Sequence, residues 1–143
     1  MSDYDPNYVH KKTYALIGQK AIIKNEANQI LVLQRSEKSG AGGKWALPGG
    51  ALEDKEDPFE AIEREIMEET KLKVSELMPF KLRSYTTEEY DFVVIVGYIC
   101  ITHTDKVVLN WEHDSYDWRS VDEALNLDLT EDARFFIEKY QYK

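Results

Sequence analysis

Apolar and polar positions alternate in distinct registers along the chain. Tyr14 to Lys24 and Gln29 to Arg35 are β-favouring runs separated by Asn25-Glu26-Ala27-Asn28, a pattern that predicts two strands joined as a hairpin. Ser36 to Lys44 is polar and holds Gly40, Gly42 and Gly43, so a loop is expected. Trp45-Ala46-Leu47 reads as a short extended piece stopped by Pro48-Gly49-Gly50, where a turn is expected. From Pro58 the period changes to that of a helix. Phe59, Ile62 and Ile66 fall on one arc and are expected to face the core. Asp57 can cap this helix, Pro58 suits its first position, and Glu60 stands where a capping box places an acid. The helix is predicted to run to about Thr70. Val74 to Tyr85 and Glu89 to Ile101 read as longer strands, and Asp117 to Arg119 as a short one. Ser120 can cap a brief helix over Val121 to Leu125. Thr130 can cap a final one to about Tyr140, with Ala133, Phe136, Ile137 and Tyr140 on one face. The order of elements predicts an α+β chain, its sheet packed between helices. We expect a single domain over residues 1–143, with 1–13 a loose tail.

Composition narrows the function. Twenty-seven acids against 18 bases give a formal charge of −9. Such a surface repels polyanions, which argues against a nucleic-acid polymer or an anionic membrane as partner. A small phosphorylated ligand stays compatible, because a bound divalent cation reverses the local sign. The one cysteine, Cys100, lies in an apolar run and is expected in the core. It can form no intramolecular disulfide, which points to a reducing, cytoplasmic setting. Residues 1–12 lack the apolar centre of a signal peptide, and no apolar stretch approaches membrane-span length.

The helix from Pro58 carries an unusual charge pattern. Glu60 and Glu63 project beyond the apolar stripe and read as solvated surface. Glu65, Glu68 and Glu69 share the arc on its other side. Like charges at these spacings oppose one another by a few tenths of a kcal/mol per pair, and the C-terminal half of a helix disfavours anions. Arg64 can reach Glu68 and offsets part of this. An acid-rich solvent face is the plain explanation. The chemical one is a hard divalent cation, since magnesium takes oxygen ligands and leaves positions for water and phosphate.

The surrounding spacing favours the chemical explanation. From Gly50 the chain runs five residues to Glu56, seven more, then Arg64-Glu65-Ile66-Met67-Glu68-Glu69-Thr70-Lys71-Leu72. With the preceding Trp45-Ala46-Leu47-Pro48-Gly49-Gly50, this resembles the box and approach of the Nudix hydrolase family, MutT-like members included. One position departs: Lys71 stands where the box ends in glycine. Glycine accepts a left-handed backbone there; lysine does so only at some cost, or the helix ends differently.

The resemblance covers Trp45 to Leu72 sharply and the rest by order of elements. It implies the Nudix fold, a mixed β-sheet sandwiched between α-helices. It implies Mg2+, or Mn2+, held by Glu65, Glu68 and Glu69, with the Gly49 carbonyl and a later acid as further ligands. Glu112, six residues before Trp118, is the first choice; Glu88, Glu89 and Asp114 are the others. Glu56 and Arg64 would brace the loop against the helix, and Glu65 would serve as base. The implied reaction is hydrolysis of a nucleoside diphosphate linked to another group: a nucleoside triphosphate, a nucleotide sugar or a dinucleoside polyphosphate. Arg35, Lys44, Gly50, Trp45, Trp111 and Tyr90 are candidates for substrate contact, with core packing the stronger expectation for Trp45. Homodimers are common in the family. A non-catalytic nucleotide sensor is the alternative, and the retained box acids speak for the enzyme.

Overall fold

The computed structural model describes residues 3–141. Ten elements follow in order: β1 (Leu16–Lys24), β2 (Ile30–Arg35), β3 (Trp45–Ala46), β4 (Gly49–Ala51), α1 (Pro58–Thr70), β5 (Ser75–Tyr85), β6 (Val93–Ile101), β7 (His113–Arg119), α2 (Val121–Leu125) and α3 (Glu131–Gln141). Met1 and Ser2 of the expected tail lie outside the described residues. Residues 3–13 are exposed and form no helix or strand.

One mixed sheet holds all seven strands, ordered β3-β2-β1-β6-β5, with β4 on β1 and β7 on β2. β1 runs parallel to β6 along its whole length, from Leu16 opposite Val93 to Lys24 opposite Ile101. The expected hairpin of β1 and β2 closes only at its base, where Lys24 faces Ile30. Beyond that pair the strands diverge. β3 takes the free edge of β2 at Leu33 and Gln34, and β4 takes that of β1 from Gly18 to Lys20. The segment predicted as a turn at Pro48-Gly49-Gly50 is therefore largely extended. Backbone pairing with β1 overrides the local turn preference, and the Pro48 carbonyl accepts the Ala21 N–H at 3.0 Å. Gly49 makes the approach feasible. Its φ is +147°, and a side chain there would collide with the Gln19 carbonyl.

Alternation along the strands splits the core in two. Ala21, Ile23, Leu31, Leu33, Tyr98 and Cys100 meet Ile62 and Ile66 of α1. Ile22, Ile30, Val32, Val93 and Ile95 meet Ala124, Ala133, Phe136 and Ile137 of α2 and α3. The sheet is thus covered on both faces. Phe59 departs from expectation: it is 47% exposed and meets the Tyr98 ring edge-on, with centroids 5.9 Å apart. It sits on the first turn, at the rim of the stripe that Ile62 and Ile66 bury.

The caps act largely as the sequence indicates. Asp57 Oδ2 accepts the Glu60 N–H, Ser120 and Glu123 form a reciprocal box, and Thr130 Oγ1 accepts the Ala133 N–H. Helix α1 ends with Lys71 in the left-handed region at φ 62°, its N–H donating to the Met67 carbonyl. Lysine adopts the conformation that glycine favours, at a cost of about 1 kcal/mol. Among the described residues no helix is long and apolar enough to cross a membrane.

Candidate active site

Helix α1 lies against β4, and that contact gives its acids different surroundings. Glu69 is buried, 1% exposed, and its Oε1 accepts the Gly49 N–H at 3.1 Å. Burial pushes its carboxyl up to about 8; Lys20 and the Gly49 N–H oppose the shift, while Glu112 and Glu65 add to it. Glu65 rests on Gly50, where an added Cβ would stand 2.7 Å from its carboxyl carbon. Its carboxyl is also raised, by burial first, with Glu68 and Glu112 contributing and Arg64 opposing. Glu68 is more open and pairs with Arg64 Nη1 at 3.1 Å.

Arg64 joins the loop to the helix. Its Nε donates to Glu56 Oε2 at 3.0 Å, and Nη2 lies 3.2 Å from Glu65 Oε1. Glu56 in turn accepts the Glu53 N–H, the largest cause lowering its own carboxyl. Glu60 and Glu63 are exposed, as expected.

Glu112 approaches from the turn before β7. The Ser36 N–H and the Ser39 hydroxyl both donate to its carbonyl, and Asn110 Nδ2 donates to its carboxylate at 3.2 Å. Its charge helps to raise both Glu65 and Glu69. Glu88 and Glu89 lie in the exposed β5–β6 turn, and Asp114 is exposed on β7; none of these appears among the charges felt by Glu65 or Glu69.

Among the described residues no three His, Cys, Asp or Glu side chains are gathered closely enough to hold a metal ion as they stand, the expected Glu65, Glu68 and Glu69 included. The donor set nonetheless fits magnesium, which keeps several waters and uses few carboxylates. The Glu112 charge raises both Glu65 and Glu69, and among the described residues buried Glu69 has only the Gly49 N–H as hydrogen-bond partner. A hard cation relieves both costs.

The other candidates are dispersed. Arg35 Nε donates to the Gly40 carbonyl, and its charge reaches His113. Lys44 pairs with Asp128 at 3.3 Å. Trp45 packs against the α2–α3 core. Trp111 is exposed beside Glu112, and Tyr90 is exposed in the β5–β6 turn. Cys100 is buried, and burial pushes its thiol up to about 12, unsuited to nucleophilic work.

Sequence reasoning missed two groups. Lys20, on β1 opposite Gly49, carries the positive charge that opposes the rise of the Glu69 carboxyl. His113 opens β7 at 5% exposure, with neither ring nitrogen hydrogen-bonded. Burial lowers its pKa to about 4, with Arg35 and Lys20 acting in the same direction. Neither belongs to a local motif; strand pairing sets Lys20 opposite Gly49 and His113 opposite Arg35.

A family model described as NUDIX domain matches residues 17–140. A nucleoside triphosphatase NudI from Klebsiella pneumoniae (strain 342) is 29% identical over 128 residues, 82% of this chain and 91% of that protein. An 8-oxo-dGTP diphosphatase from Proteus vulgaris is 42% identical over 66 residues, 46% of this chain and 56% of its own. Among solved structures, a MutT protein from Methanosarcina mazei Go1 superposes with a TM-score of 0.74 at 30% identity, covering 93% of this chain and 97% of that one.

Proposed function

The chain belongs to the NUDIX domain family, and on that premise we propose that it cleaves a phosphoanhydride bond of a nucleoside triphosphate at the acids of α1. It is a nucleotide pyrophosphohydrolase. The triphosphate as substrate class rests on the relative named a nucleoside triphosphatase, aligned over 91% of its length. Nucleotide sugars and dinucleoside polyphosphates are the competing classes. What supports the site is Glu65 seated on Gly50 and Glu69 accepting the Gly49 N–H, with Glu112 near enough for its charge to raise both carboxyls.

We assign Glu65, Glu68, Glu69 and Glu112 to holding magnesium, or manganese in its place, with the Gly49 carbonyl as a further donor. Bound there, the ion supplies Lewis-acid polarisation of a phosphoryl oxygen and an acidified water. The chain's own residues do the rest. The Gly49 N–H fixes Glu69. Glu65, held by Arg64 and seated on Gly50, is assigned to accept the water's proton. Arg64 and Glu56 keep the loop and helix in register. Arg35 is assigned to a substrate phosphate, Trp45 to packing and Tyr90 to the surface. A reducing, cytoplasmic setting agrees with a single buried thiol. Homodimer assembly rests on the resemblance alone and is decided by sedimentation.

The test is product analysis on nucleoside triphosphates, nucleotide sugars and dinucleoside polyphosphates, with and without magnesium. The expected result is magnesium-dependent release of nucleoside monophosphate and pyrophosphate from triphosphates. Turnover of a competing class alone overturns the substrate assignment. Nucleotide binding without turnover of any class establishes the sensor alternative.

A further inference from the structure

Gln19 is a buried amide on the central strand of the sheet. It is 1% exposed and shares its row with Ala21 and Ile23, on the face that α1 covers. Its Nε2 donates to the Pro58 carbonyl at 3.0 Å and to the Tyr98 hydroxyl at 2.7 Å. A carbonyl only accepts, so the contact with Pro58 decides which end of the amide points there. Both N–H groups are then spent, and the buried Oε1 has no partner among the described residues. A buried acceptor left unpaired is unfavourable, and an apolar side chain of similar length would avoid that cost. Packing alone gives no reason for glutamine at this position.

The reason lies in what its contacts join. Tyr98, on β6 and 3% exposed, meets the Phe59 ring edge-on at 5.9 Å. The first turn of α1 is thus gripped at two successive residues, Pro58 by its backbone and Phe59 by its ring, and the bond between Gln19 and Tyr98 ties the two grips together. The backbone of Gln19 also underlies the seats of the acids. It pairs with Gly50, on which Glu65 rests, and its carbonyl lies against Gly49, whose N–H holds Glu69. Roughly 10 Å of helix separates Pro58 from Glu65. Ile62 and Ile66 hold that length by apolar packing, which has no direction, whereas a hydrogen bond fixes both distance and angle. A tilt of about 6° from Pro58 would carry Glu65 about 1 Å off its seat, a displacement large enough to cost much of a catalytic rate.

We propose that Gln19, propped by Tyr98, is a positioning residue for the metal-holding acids: it clamps the first turn of α1 so that Glu65 and Glu69 come down on Gly50 and Gly49. The inference rests on the assignment of those acids to magnesium. Gln19 acts through the helix and touches neither the ion nor the nucleotide. Its unpaired oxygen is the stability given up for a directed contact that methionine or leucine could not make.

The experiment follows binding of magnesium alone by calorimetry to wild type, Gln19→Met, Tyr98→Phe and the double variant. Thermal midpoints are taken beside it, and kcat and KM for a nucleoside triphosphate are measured at saturating magnesium. Gln19→Met should weaken magnesium about fivefold and lower kcat about tenfold, with KM within about twofold of wild type and the midpoint within a few degrees. Tyr98→Phe leaves the bond to Pro58 in place and should weaken magnesium about twofold. The double variant no longer strands the Tyr98 hydroxyl, so its midpoint should rise above that of Gln19→Met while its magnesium affinity stays as low. Wild-type magnesium affinity and kcat in a folded Gln19→Met overturn the clamp. Magnesium affinity that recovers together with the midpoint in the double variant overturns it too, because Gln19 then serves stability alone. If Gln19→Met fails to fold, Gln19→Asn, which keeps the amide and loses its reach to Pro58, is read by the same criteria. Wild type that binds no magnesium, or hydrolyses nucleotide as well in EDTA, overturns the metal assignment instead.

Discussion

The residue that joins stability to chemistry is Glu69. Its folded pKa of about 8 stands well above that of an exposed glutamate, so the metal-free folded state holds a proton that the unfolded chain releases near pH 4.5. Stability from this group is full at low pH and falls as pH rises from about 4.5 to about 8, by a few kcal/mol in total. Urea denaturation in EDTA across pH 5–9 should show this decline, and Glu69→Gln should flatten it. The same variant should lose about 100-fold or more in kcat; full activity would remove Glu69 from the metal site. Gly50 offers a subtler probe. Gly50→Ala pushes a methyl group into the Glu65 carboxyl, and we expect kcat to fall 10- to 100-fold with the fold retained, measured beside a circular dichroism melt. The α1 acids were legible in the sequence because one helix carries them at fixed spacing. The burial of Glu69 was not, because it depends on β4 folding back onto β1.

Among the elements, α1 and its flanks show how far local pattern reaches. Asp57, Pro58 and the apolar stripe fixed the helix ends, and Pro58–Thr70 is what the structure contains. Phe59 broke the pattern: on the first turn it stays 47% exposed and meets the Tyr98 ring edge-on. Pro48-Gly49-Gly50 read as a turn since its residues favour one. Long-range pairing with β1 decided otherwise, and no local signal announces such pairing. Two substitutions test the elements. Lys71→Gly relieves the left-handed lysine at the helix exit and should raise stability by about 0.5–1 kcal/mol without changing turnover, as read by urea melts. Gly49→Ala drives a methyl group into the Gln19 carbonyl and should cost about 2–4 kcal/mol while displacing the N–H that holds Glu69.

At the scale of the whole molecule, two apolar layers lie on opposite faces of the sheet and hold the chain together. EDTA should therefore abolish turnover while far-ultraviolet circular dichroism stays native. A melt lost on chelation would contradict the layered core as the source of stability. The α+β arrangement was legible from the order of elements, whereas the wedge between β1 and β2 was not, because a hairpin signal says nothing about where its arms separate. The parallel union of β1 with β6 has a further consequence. Leu16 must wait for Val93, and Lys24 for Ile101, so the central strand stays half-finished until some seventy more residues have left the ribosome. Contacts this distant in sequence close slowly. Nascent chains should thus pass through an interval in which an unpaired, isoleucine-rich ribbon invites chaperones or self-association, and refolding yield should fall as protein concentration rises.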